Sequence, residues 1–214
     1  MIRPLVPLLG FTILALGACA TAAREQVPPV IQPGAPGEAS QTIPPGDVDS
    51  LLRPGHTPAD VAFMRGMIGH HAQALEMVAL LQTRTDSDRM KKLAQRIAVS
   101  QADEILMMRE WLQDRGAEAP AEHAHHGNDG ALMPGMLTAG EMDRLAAAKG
   151  PVFDRLFLEA MIRHHQGALV MVRELFATPG AGQDADIFAF ASDVDADQRM
   201  EIGRMVGMLK ELEK

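Results

Sequence analysis

The residues in this chain best equipped for chemistry are imidazoles and thioethers placed at helical spacing. Met64, Met67, His70, His71 and Met77 fall within an arc of about 140° when successive residues turn by about 100°. One helix face therefore offers three soft sulfurs and two nitrogens. The whole chain carries 15 Met and 8 His but one Trp, one Cys and no Tyr. Thioether with imidazole, in the absence of thiolate, selects Cu(I) and by the same softness Ag(I), whereas imidazole with carboxylate can hold Cu(II). Zinc would more usually show Cys, or a third closely spaced nitrogen or carboxylate ligand. A di-iron bundle needs Glu-x-x-His on two helices, and the single match, Glu122 to His125, lies in a linker.

The same face occurs twice. Shifted by 94 residues, Asp60, Phe63, Met67, Ile68, His70, His71, Ala74, Leu75, Met77 and Val78 fall on Asp154, Phe157, Met161, Ile162, His164, His165, Ala168, Leu169, Met171 and Val172. Leu158 stands in the place of Met64. Shifted by 97 residues, Gln101, Glu104, Ile105, Met108 and Leu112 fall on Gln198, Glu201, Ile202, Met205 and Leu209, and Met208 takes the place of Trp111. Met67, His70, His71, Met77, Met161, His164, His165 and Met171 are thus the primary metal-ligand candidates. Met64, Glu104, Met108, Glu201 and Met205 form a second rank.

Four long helical elements must position these groups. Thr57 is an N-cap with Pro58 at the first helical position, and apolar periodicity runs through Leu81. A second segment spans about 86–112 and is closed by Arg115-Gly116. Thr138 with Glu141 forms a capping box for a short helix to about Lys149. Long segments at about 151–177 and 184–212 follow, broken by Thr178-Pro179-Gly180-Ala181-Gly182. The two registers differ by three residues, which places an insertion in that Gly-rich turn. No strand alternation is evident, so the expected fold is all-α: two duplicated helical hairpins, neither able to bury its stripe alone, packed as a four-helix bundle over 58–214. Repeat 1 covers 58–116, a linker 117–137 and repeat 2 138–214.

That linker holds His123, His125, His126, Met133 and Met136, a short tract of the kind that captures metal. At the other end, residues 1–18 show one Arg, an apolar run too short to span a bilayer and small residues before Cys19, as in a lipoprotein signal whose Cys becomes the acylated first residue. Residues 19–57 read as a semi-extended tether, the stretch 20–58 holding eight of the 14 prolines. The expected protein is exported, periplasmic or on the cell envelope, touching the membrane through its lipid anchor. A net charge of −8 with no dense basic patch excludes nucleic acid as a partner.

Met67-Ile68-Gly69-His70-His71 with Ala74 and Met77, then Gln101, Glu104-Ile105, Met108 and Trp111-Leu112, and the same set in the second half, resemble the ferritin-like family known as domain of unknown function 305. The resemblance covers about residues 58–212. It implies an exported four-helix bundle that binds copper in support of copper tolerance, with ligands at the eight primary positions. Three activities remain open at the level of sequence. Sequestration or delivery of copper without turnover fits the lack of a nucleophile or general base. A copper redox enzyme would use Glu104 and Glu201 beside the His pairs. A metal-free bundle acting through partners would treat Met as core filler and His, Gln and Glu as a buried polar layer.

Overall fold

The computed structural model describes residues 30–32, 40–44, 46, 55–120 and 132–212. The signal-type segment, Cys19 and the His123–His126 tract lie outside the described residues. The chain divides into two units, Met1–Val48 and Asp49–Lys214. In the first, β1 (Val30–Gln32) pairs antiparallel with β2 (Gln41–Ile43), in the register Val30 to Ile43 and Ile31 to Thr42. The tether reading contained no strand. The β-branched residues Val30, Ile31, Thr42 and Ile43 suit an extended backbone, and they form this short ladder between proline-rich flanks.

The second unit is helical: α1 (Pro58–Arg84), α2 (Asp88–Asp114), the short α3 (Ala139–Ala147), α4 (Gly150–Ala177) and α5 (Ala185–Leu212). α1 packs on α2, α4 packs on α5, and α1 meets α4 across the bundle. No described helix is long and apolar enough to cross a membrane.

Local chemistry sets the helix ends. Thr57 and Asp60 form a reciprocal capping box, with Thr57 N donating to Asp60 Oδ2 at 2.6 Å and Asp60 N to Thr57 Oγ1 at 3.3 Å. Thr138 and Glu141 do the same at 2.8 and 3.2 Å. α2 stops at a left-handed Gly116 (φ 64°), where Ala117 N donates to Leu112 O and Gly116 N to Gln113 O, so orphan carbonyls are satisfied in the Schellman pattern. The turn between α1 and α2 spans residues 85–87 and that between α4 and α5 spans 178–184. The longer turn absorbs the shift in register between the repeats.

The core is two apolar clusters rather than one. Phe63–Ile68 of α1, Met108–Leu112 of α2, Ala168–Leu175 of α4 and Ile187–Val194 of α5 supply the first. Ala74–Leu81, Met90–Ile97, Phe153–Met161, and Met205 with Met208 supply the second. The start of α1 therefore packs with the end of α4 and the reverse, so the two His-bearing helices run antiparallel. Each fully buried Phe, Leu or Met adds about 1.5–3 kcal/mol, and Phe153, Phe157, Met64, Met67 and Leu81 are among those sealed from solvent. Between the clusters in sequence, and buried like them, are His70, His71, Gln101, Glu104, His164, His165, Gln198 and Glu201.

Candidate metal centre

Antiparallel crossing of α1 and α4 brings the two His-His pairs to one place. The rings of His70 and His164 lie 3.9 Å apart, centroid to centroid, at an interplanar angle of 40°. Within each helix the neighbouring rings are 6.3 Å apart. The two repeated His pairs therefore meet in the bundle through His70 and His164.

Three of the four imidazoles have one ring nitrogen fixed. His71 Nε2 donates to Glu104 Oε2 at 2.5 Å and His165 Nε2 to Glu201 Oε2 at 2.5 Å. His70 Nε2 donates to the Pro134 carbonyl at 2.9 Å. A neutral imidazole that donates through Nε2 carries its lone pair on Nδ1, and a carboxylate or carbonyl on the far nitrogen is the usual arrangement behind a metal-binding histidine. Nδ1 of His70, His71 and His165 has no protein partner among the described residues, and His164 has none at either nitrogen. Leaving a buried polar atom unmatched costs about 1–3 kcal/mol, against a typical total stability of about 5–15 kcal/mol. Five such nitrogens in one layer are a heavy structural burden and an available set of donors.

His70 and His164 are held neutral, the form that binds metal. Burial first, then the neighbouring His71, push the pKa of His70 down from 6.5 to about 3, although the Pro134 carbonyl opposes the shift. Burial and then His70, His165 and His71 hold His164 well below its ordinary value, although the His70 backbone opposes the shift. Glu104 also accepts from Ser100 Oγ at 3.1 Å. In the second repeat Asp197 stands where Ser100 would be, and burial with Glu104, Glu201 and Asp193 nearby raises its pKa. Glu104, Asp193 and Asp197 line a groove of about 290 Å³ between α2 and α5, so solvent reaches the carboxylate that orients His71.

The thioethers are regrouped relative to the repeats. Met64, Met67, Met108 and Met171 share one cluster, while Met77, Met161 and Met205 share the other. Each flank of the histidine layer thus draws methionine from both repeats, not from one. Among the described residues no three His, Cys, Asp or Glu side chains converge into a ready cage.

Sequence reasoning missed the end of the linker. Residues 133–137 lie as a strap on α1 and α4. Gln73 Nε2 donates to Leu137 O at 2.9 Å and Leu137 N to Gln73 Oε1 at 2.7 Å. Gly135 (φ 77°) meets α4 at Gly167, so closely that a Cβ on Gly167 would lie 1.9 Å from the Pro134 oxygen. Met136 is buried beneath the strap, and Met133 packs on the cluster holding Met67 and Met171. The readable signals were Pro134-Gly135, a turn dipeptide, and the repeat mismatch of Gln73 with Gly167.

This is a helical bundle with a buried layer of histidines between two methionine-containing clusters. The chain belongs to the DUF305 family, whose model, Domain of unknown function (DUF305), matches residues 60–209. It is similar to a DUF305 fragment from Deinococcus radiodurans, with 31% identity and a TM-score of 0.64 over 74% of this chain and 99% of that one. A DUF305 protein from Streptomyces coelicolor, described as secreted, is 30% identical with a TM-score of 0.62, over 72% and 94% of the two chains. CopM in its Cu(II)-bound form is 28% identical with a TM-score of 0.58, over 71% and 96%, and CopM has also been solved with Cu(I) and with silver. No protein of curated function matches the chain.

Proposed function

We propose that this protein is an exported copper-binding bundle that takes up Cu(I), and Ag(I) by the same chemistry, for sequestration or delivery in metal tolerance, with Cu(II) as a further state. The observation that carries this reading is His164, a fully buried neutral imidazole with both nitrogens unpartnered and its ring against His70. The likeness to CopM, solved with Cu(I), Cu(II) and silver, supports it.

In this reading His70, His71 and His165 present Nδ1 while Pro134, Glu104 and Glu201 hold the opposite nitrogen. Met67 and Met171 on one flank, and Met77 and Met161 on the other, supply sulfur. Met64, Met108, Met136 and Met205 stand behind them. Glu104 and Glu201 then act as orienting groups rather than direct ligands. Cys19 is the lipidation site that would tether the bundle to the envelope, and His123, His125 and His126 would concentrate metal near it.

Titrating the purified protein with Cu(I) against a chromophoric competitor tests the assignment. Replacing His70, His71, His164 and His165 together by Ala is expected to weaken binding by at least a hundredfold, and unchanged affinity would overturn the buried site. The His71–Glu104 and His165–Glu201 bonds favour a second reading, a structural polar layer without metal. A melting temperature indifferent to Ag(I) would support that alternative, since a ligand selective for the native state must stabilise it.

A further inference from the structure

Resting on that copper-binding reading, we infer that a thioether capture site for a monovalent soft cation lies at the Gly66 surface, formed by Met133 of the strap with Met171 of α4, the thioether it shares with the buried site. A Cβ built on Gly66 would lie 3.3 Å from Met171 Cε and 3.4 Å from Met133 Sδ. The two side chains, from segments that are remote in sequence, converge over one helical glycine. Met133 and Gly66 are half-buried and Met171 is 9% exposed, so the pair sits at the edge of the cluster that contains Met64 and Met67.

The repeats show that this arrangement is specific to one side. By the 94-residue shift Gly66 corresponds to Ala160, and Met171 to Met77. The second repeat keeps the methionine but has the Cβ, and the strap reaches that side with Leu137, which carries no sulfur. Glycine inside a helix costs about 1 kcal/mol relative to alanine, and here it leaves room where two thioethers meet. The other mismatch places the strap: Gln73 grips Leu137, while its counterpart Gly167 admits Pro134. Symmetry is broken at the two positions that bring Met133 to Met171.

A pure packing role would be served as well by leucine, which needs no sulfur at a half-exposed edge. Two thioethers within reach of solvent can instead exchange a soft cation with water-borne carriers. The buried Met67 and the His70 layer lie on the same flank, so a captured ion would pass inward by ligand exchange, with no change in its charge.

The test follows the methionine ε-methyl resonances of the purified full-length mature protein during substoichiometric Ag(I) addition. Met133 and Met171 are expected to shift first, and the volume-conserving variant M133L, which leaves every residue of the buried site intact, to weaken the first binding step at least tenfold, with M200L, at an exposed position on α5, as the control substitution. Ag(I) binding in which the Met77 and Met161 methyls move first, or first-step affinity unchanged in M133L, overturns the capture site while leaving the buried copper site standing. Absence of any Ag(I) binding by the unmodified protein overturns both. Should M133L fold poorly, the order of the methyl shifts in the unmodified protein decides the question.

Discussion

His70 and His164 occupy equivalent positions in two repeats, yet they stack against each other at 3.9 Å with unequal bonding: His70 donates to Pro134, and His164 has no partner among the described residues. The inequality comes from the linker, which occurs once and can satisfy one side only of a pseudo-symmetric pair.

An unmatched buried imidazole should make His164 a stability liability in the metal-free protein. Replacing it with leucine removes two unpaired polar atoms and retains bulk, so H164L is expected to stabilise the metal-free bundle by about 1–2 kcal/mol. Urea unfolding measures this. The same variant should lose most of the rise in melting temperature that Ag(I) produces. A destabilised H164L would mean that His164 has a structural partner.

Acid should weaken the metal-free fold through the same residues. His70 titrates at about 3 in the folded protein against 6.5 in its absence, and His164 is also lowered. The unfolded chain therefore takes up protons first. The stability present above about pH 6.5 is lost progressively as pH falls towards 3. For His70 alone the loss between pH 7 and pH 5 is about 2 kcal/mol. Denaturant midpoints across that range should fall steeply for the unmodified protein and less steeply for H70Q/H164Q. Equal slopes would show that carboxylates, rather than these imidazoles, govern acid sensitivity.

Asp60 fastens the start of α1 to a distant turn. Its Oδ2 accepts from Thr57 N at 2.6 Å and Thr57 Oγ1 at 2.9 Å, and its Oδ1 from Gly182 N at 2.7 Å. Its repeat counterpart Asp154 has an unpartnered Oδ1. D60A removes a cap and strands the buried Gly182 N–H, for an expected loss of about 2–3 kcal/mol. D154A should cost less. Comparing the two by chemical denaturation checks the asymmetry, and equal losses would contradict it.

Helices, caps and the buried face were legible because each depends on nearby residues: Thr57 with Asp60, Thr138 with Glu141, and the 3.6-residue period that put Met64 to Met77 on one side. The duplication also made the pairing of hairpins readable. Two features were not. Which methionines share a flank depends on the antiparallel crossing of α1 and α4, which places Met67 beside the cluster of Met171 rather than of Met77. The strap depends on contacts between Gln73 and Leu137 and between Gly135 and Gly167, whose partners lie far apart in the chain. In each case the information sits in tertiary geometry, and only the mismatches between repeats hinted at it.

The strap offers the most direct mechanical test of how the histidine layer is held. A Cβ on Gly167 would meet the Pro134 oxygen at 1.9 Å and the Pro134 carbonyl carbon at 2.4 Å. These are backbone atoms with no freedom to rotate away, so in G167A either the helix or the strap must move. The helix is buried and bonded along its length, and the strap is held chiefly by Gln73 and His70, so the strap is expected to lift. The Leu137 amide, which donates to Gln73, should then exchange with solvent at least tenfold faster, and His70 Nε2 should lose its carbonyl partner. Because the four long helices keep their own hydrogen bonds, helical content should change little. Hydrogen exchange with circular dichroism separates the outcomes: protection kept at Leu137 would show that the strap yields without detaching, whereas lost helicity would show that Gly167 serves α4 itself.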